Sequence, residues 1–573
     1  MQNASGAISP STRLAVAALA AMMFVPPLLP LGMEPIPSFE AEWITALLGL
    51  VAAVAAFSGG GRRTVPLPAA LLFPAAGALL LALQWWAGMT ASTAMACLAL
   101  VYLAWMALLT SLAARVLCDV GIRQAVEWFA WALLLAAVAN SAVALVQWLH
   151  PALDSPWILP VMHGRPGGNL GQPNHLAIQM ALGTASLAWL RARGRIRESF
   201  AWLPAAMLAC GLAVTGSRSA WLLAGLSVAG CWWLGRRLDA GAAREARRVV
   251  LVVAAFFALL DLGNGLLHAG GASHSGIVRF ETVHHDGEER LQIWRGAWRM
   301  FLDAPWFGQG HGHFAERFLA IAPELPAPRP TSMTLHAHNL PLQIAAEYGL
   351  AGLALTAAAL LIWFVRVSKR PATPERAWAL GVAGILAVQS LVEYPLWYAY
   401  FLGPFAVALG AAEGHGLEFG LGRAARWVRM GSLAVGAAIL STVVIDYRFL
   451  RSFDDVSRPA QASREAVAHL ARMRGFSLLG AYAGVGLHRG IDFGPQWMSE
   501  KLALSEEVVV VFPLPDVVYR HALLLAAQGR EDDARRWWRR AETSYPSLAA
   551  RWRKAAGRHV PAVTAGLQQG EDS

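Results

Sequence analysis

The residues best placed to do chemistry lie in Thr334-Leu335-His336-Ala337-His338-Asn339-Leu340-Pro341-Leu342-Gln343, where a polar loop meets an apolar helix. A neutral imidazole accepts a proton near physiological pH. Two of them beside Asn339 and Gln343, whose amides can fix ring orientation, suit removal of a proton from a hydroxyl group. Arg218 lies in Thr215-Gly216-Ser217-Arg218-Ser219-Ala220-Trp221, at the start of an apolar run. An arginine keeps its charge and is costly beside lipid, so it should meet an anion. Arg290, Arg295 and Arg299 follow at steps of five and four, expected roughly along one helical face. Leu291, Ile293, Trp294 and Trp298 form the expected opposite pattern, suited to a membrane interface. Guanidinium forks bind phosphate through paired hydrogen bonds.

Other polar clusters are weaker. His284-His285 and His311-Gly312-His313 have metal-like spacing, but two donors do not make a site and no third accompanies them. Glu40-Ala41-Glu42 is expected in a solvated first outer loop. No metal site is expected. Cys97, Cys118, Cys210 and Cys231 lie in or beside apolar runs without disulfide or zinc spacing.

These residues need a scaffold, and composition says which kind. The chain has 573 residues, 56% of them hydrophobic and 15% charged, with a mean hydropathy of +0.44. Soluble domains carry roughly 25% charged residues. Apolar runs long enough to cross a bilayer recur about thirteen times, near 12–32, 43–58, 66–87, 91–116, 124–149, 174–192, 200–215, 218–235, 248–267, 339–366, 375–393, 397–412 and 427–448. Residues 1–32 have the look of a cleaved signal peptide, but the spans that follow make an uncleaved first helix the expectation. The expected fold is an all-α polytopic membrane protein.

Alternate connections carry Arg62-Arg63, Arg123, Arg191 to Arg197, Arg236 to Arg248, Arg366 to Arg376, and Arg423 to Arg429. With this span count all fall on one side, the cytoplasm by the positive-inside rule. The net charge of +10 is therefore topogenic, and no nucleic-acid partner is expected. The loops at about 150–173 and 268–337 and the tail at about 449–573 fall on the opposite, outer side. Two domains are expected: a membrane domain over 1–448 and a helical extracytoplasmic domain over 449–573. In the tail, Ala534, Trp538, Ala541 and Pro546 have the spacing of one tetratricopeptide-like helix pair. A lone pair reads as an ordinary helical cap or as a docking surface.

Five blocks carry a family resemblance: Asn169 to Ala177 (NLGQPNHLA), Thr215 to Trp221, the loop from Arg290 to Gly310, His336 to Asn339, and Leu391 to Tyr400 (LVEYPLWYAY). In this order they resemble the O-antigen ligase/polymerase superfamily, and within it the bacterial protein O-oligosaccharyltransferases of the PglL/PilO type. The serine-arginine and His-Asn blocks are common to ligases and polymerases. The QPNH and EYPLWY blocks belong more to the protein-glycosylating subgroup.

The resemblance implies a GT-C-like membrane enzyme of the inner membrane with its site facing the periplasm. It implies transfer of a preassembled glycan from undecaprenyl diphosphate to Ser or Thr of a periplasmic protein such as pilin, with inversion and without a metal or other cofactor. On the matching positions, His338 is the candidate general base, and Arg218 and Arg290 are candidate diphosphate clamps. Arg295, Gln172, Asn174, His175, His336, Asn339, Tyr394 and Tyr398 are candidate substrate-binding residues. A monomer is expected. Rival readings are an O-antigen ligase acting on lipid A core, an O-antigen polymerase, and, in a different class, a transporter or flippase. A transporter would show internal repeats and charged mid-membrane helices, and no clear repeat is present.

Overall fold

A computed structural model of the chain describes residues 8–32, 34–58, 64–161, 164–267, 284–414, 416–420, 424–454 and 464–559. Arg62-Arg63, Arg423, residues 268–283 of the long loop and the tail beyond residue 559 lie outside the described residues.

The protein is a polytopic membrane protein built almost wholly of helices. Each expected apolar run coincides with a helix: α1 (Pro10–Phe24), α2 (Phe39–Ser58), α3 (Leu72–Trp86), α4 (Thr93–Val120), α5 (Ile122–Leu149), α6 (Pro173–Ala192), α7 (Glu198–Val214), α8 (Arg218–Gly235), α9 (Ala240–Leu267), α12 (Leu340–Ser368), α13 (Pro374–Gln389), α14 (Ala399–Glu413) and α15 (Ala424–Asp454). Between α9 and α12 lie α10 (His284–Asp303) and α11 (Phe314–Ile321). Among the described residues, eight candidate spans are long and apolar enough to cross a membrane, and α7 and α14 are shorter apolar helices. The expectation of an all-α chain needs one correction. Two connections pair as a short antiparallel ribbon, β1 (Thr64–Leu67) on β2 (Leu417–Gly420), with Thr64 opposite Gly420. Glu40 and Glu42 also depart from expectation: they occupy the first turn of α2, not a loop.

The described chain forms two compact units. The first comprises Met1–Ala75, Tyr102–His284 and Ala357–Leu440. Its core is alanine-rich, with Leu109, Phe129, Leu134, Leu176 and Phe257 fully buried. One end of this bundle is fastened by ion pairs among the basic connections. Arg193 makes a two-pronged contact with buried Glu375, 2.6 Å on each prong. Arg191 pairs with Glu245, Arg195 with Glu127 at 2.7 Å, and Arg248 with Glu198 at 2.8 Å. These contacts gather the starts of α5, α7, α9 and α13 and the end of α6 at one end, as the alternation of basic loops requires. The opposite end therefore holds the starts of α6 and α8 and the end of α13.

The second unit comprises Ala76–Val101, His285–Thr356 and Ser441–Ser573. Beyond α15 its described helices are α16 (Arg464–Phe476), α17 (Gly480–Arg489), α18 (Met498–Val511), α19 (Pro515–Ala527), α20 (Glu531–Ser544) and α21 (Pro546–His559). Ala534, Trp538 and Ala541 are buried where α20 meets its neighbours, and Pro546 opens α21. This cluster, with Val508, Val517 and Tyr519 at its centre, also takes in Leu319 of α11 and the loop residues Met333 and Leu335. The tail helices thus buttress the segment that leads into His336.

Candidate functional site

In the first unit three sequence blocks meet through one hydrogen-bonded chain. Gln172 caps α6: its side-chain oxygen accepts from the His175 backbone N–H at 2.7 Å, and Pro173 takes the first helical position, where its missing N–H costs nothing. Ser217 caps α8 in the same way, accepting from Ser219 N–H at 3.1 Å, which fixes Arg218 as the first helical residue. The Ser217 hydroxyl donates to the Asn174 carbonyl oxygen, and the Asn174 amide donates to Glu393 at 2.6 Å. Glu393 is buried and lies between α13 and the aromatic turn that opens α14. Arg165 adds a bond from its guanidinium to the Thr215 carbonyl at 3.0 Å.

His175 is buried in an aromatic cage. Its ring stands edge-on to Tyr398 at 4.6 Å and to Phe401 at 5.3 Å, and Nδ1 lies 3.2 Å from the Tyr400 hydroxyl. Tyr394 stacks on Tyr398 at 5.9 Å. Below the cage, Glu42 accepts from the Ala399 N–H at 2.6 Å and from the Tyr102 hydroxyl at 2.9 Å, so it anchors the start of α14.

The second unit holds the His-Ala-His-Asn segment. Ala337 is fully buried among Ile293, Ala297, Met300, Phe314 and Ala346, which pins the backbone between the two imidazoles. Its N–H donates to Gln343 Oε1 at 2.7 Å. His338 takes a left-handed backbone conformation, φ +49°, at a cost of about 1 kcal/mol for a residue with a Cβ. Asn339 caps α12, accepting from Leu342 N–H at 2.9 Å. His336 is enclosed, and burial pulls its pKa down to about 4 despite the nearby Glu347 carboxylate, which opposes the shift.

Glu347 lies one turn beyond Gln343 on the same face of α12. It accepts from Gly312 N–H at 3.0 Å and stands 3.7 Å from His311 Nδ1, which also meets the Tyr348 hydroxyl at 2.8 Å. Gln84 ties the loop further, donating to the Glu347 carbonyl at 2.7 Å and accepting from His311 N–H at 2.9 Å. The close packing needs glycine. A Cβ on Gly310 would fall 1.8 Å from the Met89 carbonyl oxygen, and one on Gly349 would fall 2.6 Å from the Trp306 backbone. Gly349, at φ +62°, also kinks α12.

The arginines of α10 do not share one face. Successive helical residues turn by about 100°, so a step of five places Arg295 about 140° from Arg290. Arg290 is half-buried, whereas Arg295 and Arg299 are exposed and engage Gln292 and Asp303 of their own helix. Leu291 and Trp298 lie on the exposed side with them, and Ile293 points into the core.

Sequence reading assigned no role to Glu393, Glu347 or His311. Glu393 sits inside a quoted block, and Gln343 and Glu347 have the i, i+4 spacing of one helical face just beyond the histidines. Those were the available signals.

Comparison with known proteins bears on the same segments. Residues 203–357 match a family model described as O-antigen ligase, and residues 377–559 match one described as virulence factor membrane-bound polymerase, C-terminal. The chain is similar to a general O-oligosaccharyltransferase of Acinetobacter baylyi (strain ATCC 33305 / BD413 / ADP1), 25% identical over 293 residues, or 49% of this chain and 49% of the relative. The chain thus spans about half the length of the curated relative it matches.

Proposed function

We propose that this chain, which matches the O-antigen ligase family model over residues 203–357 and is similar to a general O-oligosaccharyltransferase, transfers a preassembled glycan from undecaprenyl diphosphate to Ser or Thr hydroxyls of periplasmic proteins such as pilin. In this reading the protein is a monomer of the inner membrane with about thirteen spans in a GT-C-like arrangement. Residues 1–448 form the membrane domain, and 449–573 a periplasmic domain. The observation that carries the proposal is the hydrogen-bonded chain Ser217–Asn174–Glu393, which joins the serine-arginine block to the two blocks that resemble the protein-glycosylating subgroup.

The acceptor hydroxyl oxygen attacks the anomeric carbon, the carbon–oxygen bond to diphosphate breaks, and the lipid diphosphate leaves. His338 takes the hydroxyl proton as general base. Arg218 and Arg290 hold the diphosphate and stabilise the negative charge that grows on it, with Arg295 a weaker third contact. One direct displacement inverts the anomeric centre. Gln172 and Asn174 hold the frame on which Arg218 stands. His175, Tyr394 and Tyr398 line the glycan or acceptor opening, and His336 and Asn339 orient His338.

The match of residues 377–559 to a polymerase model favours a second reading, with a growing lipid-linked glycan as acceptor. Expression with a candidate pilin, in a host lacking its own ligase but making an undecaprenyl-linked glycan, separates the two. A glycan-sized mass gain on pilin, absent with His338→Ala, supports the proposal. Unmodified pilin with glycan on lipid A core makes the chain a ligase, and a lengthened lipid-linked pool makes it a polymerase.

A further inference from the structure

α10 has two faces of opposite character. Ile293, Ala297 and Met300 are buried, and Leu291, Trp298 and Leu302 are exposed together with Arg295 and Arg299. The exposed apolar edge continues past the helix end into Trp306 and Phe307, which are 69% and 63% exposed. Two adjacent aromatic side chains at that exposure demand a partner.

The edge is bonded to α12. Leu350 N–H donates to the Pro305 carbonyl at 2.8 Å, and Ala351 N–H to the Trp306 carbonyl at 3.1 Å. α12 is a candidate membrane span, and Leu350 and Leu355 are themselves exposed. The kink at Gly349 sets the level. From Leu350 to Ser368 the helix runs 19 residues, about 28 Å at 1.5 Å per residue, close to the roughly 30 Å of a hydrocarbon core. Residue 350, and the aromatic edge bonded beside it, therefore falls at the hydrocarbon boundary. Tryptophan and phenylalanine flanked by arginine suit that depth, with aromatic rings at the headgroup level and guanidinium groups at lipid phosphates.

We propose that Trp298, Leu302, Trp306 and Phe307 form an edge that dips into the outer leaflet, with Arg299 reaching the phosphates of its phospholipids. This surface holds α10 at the headgroup level whatever glycan the enzyme carries, so the inference stands apart from the transfer reaction.

The test uses the full chain in nanodiscs of phosphatidylethanolamine and phosphatidylglycerol, part of it carrying a diazirine on the acyl chain. Hydroxyl-radical footprinting compares Trp306 with Trp497, a tail residue that is 73% exposed. The expected result is at least fivefold slower oxidation of Trp306 than of Trp497, with lipid adducts on the peptide containing Trp298 to Phe307. Oxidation of Trp306 within twofold of Trp497 and no adduct would mean the edge faces water, and would overturn the proposal. Protection of Trp306 without any lipid adduct would overturn it too, because something other than lipid would then cover the edge.

Discussion

Asn174 donates to Glu393 at 2.6 Å across 219 residues of sequence, while its carbonyl accepts from the serine that caps the Arg218 helix. Asn174 is therefore a two-sided connector, and Glu393 sets its orientation because a carboxylate can only accept. Hydrogen bonds to charged groups contribute about 1.5–3 kcal/mol. Glu393→Ala is expected to reduce glycan transfer by about 10- to 100-fold, and Glu393→Gln by less, since its amide oxygen still accepts. Equal losses in the two variants, measured by intact mass of the acceptor, would remove Glu393 from the framework that holds Arg218.

Replacing His338 with Ala should lower transfer by about 10²- to 10⁴-fold, the range for loss of a positioned general base, with membrane insertion intact. His336→Asn should cost less, because that imidazole is enclosed and held neutral by burial. Comparable transfer by wild type and His338→Ala in the pilin assay would end its assignment as base.

Arg218→Lys keeps the charge and loses the fork. Transfer should fall by about tenfold or more, with weaker protection of the protein by added undecaprenyl diphosphate in a thermal melt. An unchanged melt shift and rate would show that Arg218 does not hold the diphosphate.

Gly310→Ala should destabilise the second unit by at least about 3 kcal/mol, because backbone strain adds to collision with the Met89 carbonyl. Gly88→Ala is the control. Gly88 also has positive φ but open space around it, so only about 1–2 kcal/mol of strain is expected. Thermal unfolding in detergent reads both, and similar melting points for the two variants would contradict the packing described.

The tail should weaken in acid. His488 and His521 both contact the Ser505 hydroxyl at 2.9 Å, and burial pulls them down to about 3 and about 4. Their unfolded value is near 6.5, so between that pH and the folded values the unfolded chain binds more protons and stability falls with pH. The contribution is fully present above about pH 6.5 and is lost progressively toward pH 4. Melting temperatures of the whole chain across this range should show the decline, and a His488→Asn/His521→Asn pair should flatten it. An equally steep decline in the double variant would move the cause elsewhere.

The positions of the helices were legible because hydrophobic runs report burial directly. The basic loops were legible too: they gather at one end of the first unit and pair with Glu127, Glu198, Glu245 and Glu375. Contacts across long separations were not legible. Nothing local to Asn174 announces Ser217 or Glu393. Glu347 sits in an apolar helix, where its partner His311 lies 36 positions upstream across a loop. The shared face expected for Arg290 and Arg295 failed for a simpler reason, since five residues overshoot one helical turn. The support that the tail gives to Met333 and Leu335 was equally hidden, because apolar side chains carry no address.

The pairing of Arg193 with Glu375 also bears on biogenesis. The partners are 182 residues apart, so a nascent chain emerging from the ribosome carries Arg193 long before Glu375 exists. Breaking such a pair in a finished protein costs roughly 3–5 kcal/mol. Translation intermediates ending before α13 lack that clasp, so this end of the first unit closes only once Glu375 has been made.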